Sequence, residues 1–216
     1  MILACPFESE VRQEQAKQFN ERRIRDSRMA IRKIARMGHP ILRRVAEPVA
    51  DPTAPEVRLL VEDMIDTMID ADGAGLAAPQ VYEPKRIVIF QAPPEAAVNV
   101  DGDEGYDETA PLTVLINPEI AIHTETMENG WEGCLSVPGL RGLVPRPLQL
   151  SYRGFDLDGN VLERRASGFH ARVVLHECDH LDGILYPQRM TDMTKLVFET
   201  EFKHLIAAQQ EQAGNP

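Results

Sequence analysis

His176-Glu177-Cys178-Asp179-His180 sets two imidazoles four residues apart around a carboxylate. On a helix that spacing puts both rings on one face, one turn apart, where they can hold a single metal ion. Glu177 then stands beside the ion's open position, where water would sit, as a general base. A catalytic site of this kind needs a third protein ligand, which the pattern itself does not name. The extended form that ends in a glycine and a third histidine fails, because Gly183 matches but Tyr186 stands where histidine is wanted. Glu199 or Glu201 further downstream would complete a metallopeptidase set. Cys178, two residues from His176, points off the shared face and reads as a small buried side chain. Cys134 is the better third ligand: in Trp131-Glu-Gly-Cys-Leu-Ser-Val-Pro-Gly139 a flanking glycine lets the thiolate approach a metal closely, with backbone N–H groups turned into the same space. A third segment, Gly73-Ala-Gly-Leu-Ala-Ala-Pro-Gln80, leaves its backbone open to close approach and ends in one amide. It is neither a dinucleotide fingerprint nor a phosphate loop, since the third glycine and the lysine are missing.

These groups need elements to hold them. Thr53 and Glu56 have capping-box spacing, Pro55 stands in the first turn, and Val57, Leu60, Val61, Met64, Ile65, Met68 and Ile69 follow at helical intervals. A second helix is predicted over 168–181, carrying the histidines, and a third from Met193 to about Gln210, with Leu196, Val197, Phe202, Leu205 and Ile206 as its apolar set. Strands are predicted at 86–91, 112–117, 120–122 and 148–152, with Asp158-Gly159 turning a hairpin between 155–157 and 161–162. The order helix, strands, helix, helix predicts an α+β fold: a mostly antiparallel sheet packed around the metal-binding helix, with an additional C-terminal helix.

The 216 residues and 43% hydrophobic content suit one domain with a real core. Residues 1–28 read as a mobile arm, because 8–28 offer only Val11, Ala16, Phe19 and Ile24 for apolar contact, and 29–216 read as a single catalytic domain. Within it, residues 92–111 carry six acidic and no basic side chains, three prolines and two glycines, and read as an acidic loop insertion. Asp101-Gly-Asp103-Glu-Gly105 lacks the offsets and closing glutamate of a calcium loop. A formal charge of −11 argues against direct sequence-specific nucleic-acid binding. No apolar stretch is long enough to cross a bilayer, and Met1 to Pro6 carry no secretory leader, so no membrane association and a cytoplasmic location are expected. Three cysteines, Cys5, Cys134 and Cys178, do not make a disulfide framework.

In this order, Gly73 to Gln80, Glu132 to Ser136 and His176 to His180 resemble the three signature motifs of the peptide deformylases. Asp179 directly before the second histidine, and the flanks Arg36 to Arg43 and Gly142 to Arg146, are also similar to that family, over roughly residues 29 to 210. The resemblance implies hydrolysis of the formyl group from N-formylmethionyl peptides, releasing formate. It implies Cys134, His176 and His180 as ligands, Glu177 as base, and the Gln80 amide and Leu135 N–H as donors to the oxyanion. One divalent ion is implied, Fe2+ natively, while the donor set also suits Zn2+, Ni2+ or Co2+. The final helix is similar to that of the class with a helical C-terminus, which implies transient ribosome association, although it brings only Lys195, Lys203 and His204 as basic groups. Gly73 and Gly75 would let a peptide backbone pair alongside. Phe169 and Val173, seven and three residues before His176, would share its face and line a pocket for the methionine side chain, or else pack in the core. Asp179, facing away from the ligands, is expected to pair with Arg146.

Overall fold

A computed structural model gives the fold for residues 30–97 and 105–213, without the side chains of 208–213. The expected arm, 1–28, and positions 98–104 of the acidic insertion lie outside the described residues. Among the described residues three α-helices, α1 (Pro55–Asp70), α2 (Gly168–Leu181) and α3 (Glu199–Ala213), accompany eight strands: β1 (Gly75–Ala77), β2 (Ile87–Ala92), β3 (Ala110–Ile122), β4 (Met127–Cys134), β5 (Val137–Pro147), β6 (Gln149–Phe155), β7 (Val161–Ser167) and β8 (Leu196–Phe198). They form two antiparallel sheets, one in the order β1-β2-β3-β6-β7 and the other β4-β5-β8. The fold is α+β, as expected.

β2 shows why α2 comes to lie where it does. Its side chains alternate across the sheet: Ile87 and Ile89 face the α1 side with Val57, Leu60, Val61, Met64 and Met68, while Val88 and Phe90 face the α2 side with Leu150, Tyr152, Val173 and Val174. Both faces of the strand are buried, so it reads as a continuous apolar run. The metal-bearing helix is therefore a core element, buried along nearly its whole length.

Three local expectations are corrected. Ala54, not Thr53, caps α1, because Thr53 is held by Asp51, whose Oδ1 accepts from Thr53 N at 2.9 Å and Oγ1 at 2.7 Å. Such a turn competes directly with the capping box. The predicted strands at 112–117 and 120–122 are one strand, β3, whose ladder with β6 shifts register between Ile116 and Glu119. Asn117 sits at that bulge with φ 52° and exchanges two side-chain hydrogen bonds with the Val49 backbone, at 2.8 and 2.9 Å. The last helix starts late: Met193–Lys195 is a 3-10 turn, and Leu196–Phe198 is β8, paired with Leu140 to Gly142 of β5. Backbone ladder bonds available on the β5 edge outweigh the helical spacing there. Two further strands, β4 and β5, were not expected from the sequence, since MENGWEGC and VPGLRGLVPRP are rich in glycine and proline.

Candidate metal centre

Two pieces of chain meet at the centre. α2 supplies His176 and His180, with ring centroids 5.2 Å apart. The β4–β5 hairpin supplies Cys134, the last residue of β4, which pairs with Val137 across the two-residue turn Leu135-Ser136. The Cys134 Sγ and one nitrogen from each imidazole all lie within 4.8 Å of one another, and Sγ is 3.3 Å from His180 Nε2. Among the described residues this is the one cluster of its kind, and it contains neither Glu199 nor Glu201. Glu199 is instead paired with Arg141. One thiolate and two imidazoles fit a borderline-soft divalent ion and leave a position open.

The ligands are themselves held. His176 Nδ1 donates to Glu132 Oε2 at 2.8 Å, and since a carboxylate only accepts, this fixes the tautomer and frees Nε2 for an ion. Burial alone would depress the His176 imidazole, but Cys134 and Glu132 override it and raise it well above its ordinary value. No carboxylate accepts from His180, whose Nδ1 has no hydrogen-bond partner; burial, with the positive neighbours His176 and Arg146, holds it well below. Glu132 is fully buried, yet its carboxyl lies far below the usual range despite burial, because His176 and a two-pronged Arg146 bind it at 2.8 and 3.0 Å. Arg146 Nη1 also donates to Asp179 Oδ2 at 2.6 Å, the expected pair, and Arg189 grips the other side of Asp179 at 2.6 Å.

Gln80 is buried and its orientation is determined: Oε1 accepts from Ala77 N at 2.8 Å, so Nε2 must point to Cys134 Sγ at 3.6 Å and Ser136 Oγ at 3.2 Å. Glu177 is the base candidate. Its carboxyl is buried, Oε2 has no hydrogen-bond partner, and burial raises it to about 7. An uncompensated carboxyl in this position is what a water or ion beside it would satisfy. Gly75 explains the access, since a Cβ there would fall 2.4 Å from Glu177 Oε1. The cavity in front of these groups measures about 360 Å3 and is lined by Gly73, Gly75, Gln80, Cys134, Leu135 and Glu177, with Arg141 and Glu199 at its wall.

Phe169 and Val173 are not in that lining. Both belong to the core under β2 and β6, because two turns and one turn before His176 the helix already lies beneath the sheet. The apolar cavity wall is Leu135, Val137 and Leu140 instead. Glu132 and Arg172 had no assigned role from the sequence. Arg172 carried a usable signal, standing four residues before His176 on its face, whereas the place of Glu132 depends on strand pairing.

The chain resembles known proteins throughout this region. A family model described as polypeptide deformylase matches residues 31–196. Peptide deformylase 2 of Ralstonia nicotianae is 52% identical over 170 residues, 78% of this chain and 92% of that protein. Peptide deformylase 1 of Bordetella pertussis is 50% identical over 167 residues, 76% and 90% of the two chains. Among solved structures, peptide deformylase from Ehrlichia chaffeensis superposes with a TM-score of 0.71 at 30% identity, covering 85% of this chain and 98% of that one. The Met-Ala-Ser-bound class I type b peptide deformylase of Acinetobacter baumannii gives 0.67 at 36% identity, covering 76% and 100%. With this similarity joined to a half-buried thiol, two buried imidazoles and a buried carboxyl gathered at one site, the chain belongs to the peptide deformylases, metal-dependent hydrolases that remove the N-formyl group from nascent polypeptides.

Proposed function

We propose that Cys134, His176 and His180 hold one divalent ion, ferrous in the cell, and that Glu177, Gln80 and Leu135 carry the deformylation chemistry around it. When bound, the ion supplies a Lewis acid that lowers the pKa of water toward neutrality. Glu177 takes the proton that water gives up as its oxygen attacks the formyl carbon, then delivers it to the amine as the C–N bond breaks. A carboxyl held at about 7 by burial is suited to both halves of that transfer near neutral pH. Gln80 Nε2 and the Leu135 N–H donate to the oxygen on which charge develops. Gly73 and Gly75 admit the peptide backbone, and Leu135, Val137 and Leu140 offer apolar surface to the chain that follows.

The observation that carries this reading is the convergence of three ligand atoms within 4.8 Å beside a buried carboxyl with an unpartnered oxygen. Bound Met-Ala-Ser in the Acinetobacter baumannii relative supports a peptide beginning with methionine as the released product. The reading includes a cytoplasmic enzyme in transient contact with the ribosome, where formylated chains emerge.

Formate release from an N-formyl-Met-Ala-Ser peptide tests it, with protein prepared anaerobically with ferrous iron beside Glu177→Ala. Release by the unaltered chain, abolished in the variant while its metal content is kept, is the expected result. Equal release by both would remove Glu177 from the proposed role.

A further inference from the structure

Arg172 is a buried arginine to which neither the motifs nor the chemistry above assigns a task. Its Nη1 donates to Glu132 Oε1 at 3.0 Å and to the Val144 carbonyl at 2.9 Å, and its Nη2 donates to the Glu128 carbonyl at 2.8 Å. One side chain from α2 therefore ties down both strands of the β4–β5 hairpin and the carboxylate that orients His176. Charge balance does not require it, because Arg146 already engages both oxygens of Glu132. Each oxygen of Glu132 accepts two bonds: Oε1 from Arg146 and Arg172, Oε2 from Arg146 and His176. The backbone is shaped to admit the guanidinium. Gly130, paired with Val144, lies directly against it, and a Cβ at Gly130 would sit 2.5 Å from Arg172 Cζ.

The ligand set is split between these same two bodies, with the histidines on α2 and Cys134 at the end of β4. We propose that Arg172 is a positioning residue, a strut seated on Gly130 that sets the separation of the two halves of the metal site and thereby its affinity and coordination. The inference rests on the ligand reading given above. Planarity matters to it: a guanidinium serves three acceptors from a fixed fork, which an ammonium cannot reproduce.

The test is a titration of metal-free protein with Co2+ against a competing chelator, reading affinity together with the thiolate-to-cobalt charge-transfer absorption, in Arg172→Met, Arg172→Lys and Gly130→Ala. Unfolding midpoints are recorded beside them. The unaltered chain is expected to bind one Co2+ with the thiolate band. Arg172→Met and Gly130→Ala should weaken Co2+ binding about tenfold or more, on the scale of lost ligand-supporting groups, and diminish the band. Arg172→Lys should recover part of both. Should Arg172→Met fail to fold, Gly130→Ala decides, because it displaces the strut without removing it. Variants that bind Co2+ with unaltered affinity and spectrum, whatever their unfolding midpoints, would overturn the proposal. An unaltered chain that binds Co2+ without a thiolate band would overturn the ligand reading itself.

Discussion

Gly75 and Glu177 lie about a hundred positions apart in the chain and are in van der Waals contact in the fold, and that contact leads to a sharp expectation. A methyl group at residue 75 would lie 2.4 Å from Glu177 Oε1, so the carboxyl must turn away from the place the proposed proton transfer requires. Gly75→Ala should lower kcat by about 100-fold, the scale of a displacement near 1 Å at a reacting group, with bound metal unchanged. Steady-state kinetics beside metal analysis checks this. A normal kcat would mean that the carboxyl works from another position. The small residues of the Gly73 to Gln80 segment were readable as openness of backbone; that the openness belongs to Glu177 was not, since nothing in the sequence measures the separation of the two segments.

At the scale of elements, α1 and α2 divide the work on opposite faces of one sheet. Met64 is fully buried on the α1 side, among Val61, Leu76, Ile87 and Ile116, with the β2 strand between it and α2. Met64→Ala should therefore cost about 2 to 5 kcal/mol of stability in denaturant unfolding while leaving kcat and metal content unchanged well below the transition. A matching loss of activity would show that α1 shapes the site directly. The helices α1 and α2 and the β6–β7 hairpin were legible because each follows a local rule: an apolar stripe at helical spacing, or Asp-Gly between two extended runs. β4, β5 and β8 follow none. Their glycines and prolines are tolerated because the hairpin pairs along its length and because Gly130 and Gly142 make room for Arg172 and for Met190 and Tyr186. Such demands come from other parts of the chain.

For the molecule as a whole, the buried histidine outside the metal centre dictates a pH dependence. His170 Nδ1 lies 2.9 Å from the Asp107 carbonyl and must donate to it, and Nε2 accepts from the Tyr152 hydroxyl at 3.0 Å. The neutral ring is fully satisfied, and burial lowers the imidazole from 6.5 to about 4. Because the folded value lies below the unfolded one, the unfolded chain takes up more protons between them. The stability from keeping this ring neutral is complete above pH 6.5 and is lost as pH falls toward about 4. The loss amounts to roughly 3 kcal/mol over that window at 1.36 kcal/mol per pKa unit. Unfolding of metal-free protein along a pH series, compared with His170→Gln, isolates it: the unaltered chain should lose that much more stability than the variant over the window. Parallel curves would refute the assignment. The same contacts stitch the end of the acidic insertion to the fold, since the Asp107 carbonyl also accepts from Ser167 N at 3.0 Å.

By itself the sequence determined the donor types and their local geometry. Two histidines four apart on a helix share a face whatever surrounds them, and Glu177 is carried with them. It also determined the class of fold, through patterns that repeat every two or every 3.6 residues. Cys134 was already marked as the third donor by its glycine-flanked motif, but only the tertiary structure decided that Glu199 pairs with Arg141 instead of joining the histidines, and that Phe169 and Val173 belong to the core and not to the cavity wall. The sequence pointed to the Arg146–Asp179 pair, but only the tertiary structure could reveal that Glu132, Arg189 and Arg172 join it in one network beneath the ligands. The physical reason is range: helical and strand periodicity act over a few residues, whereas a buried charge is stable only where partners from distant strands close around it.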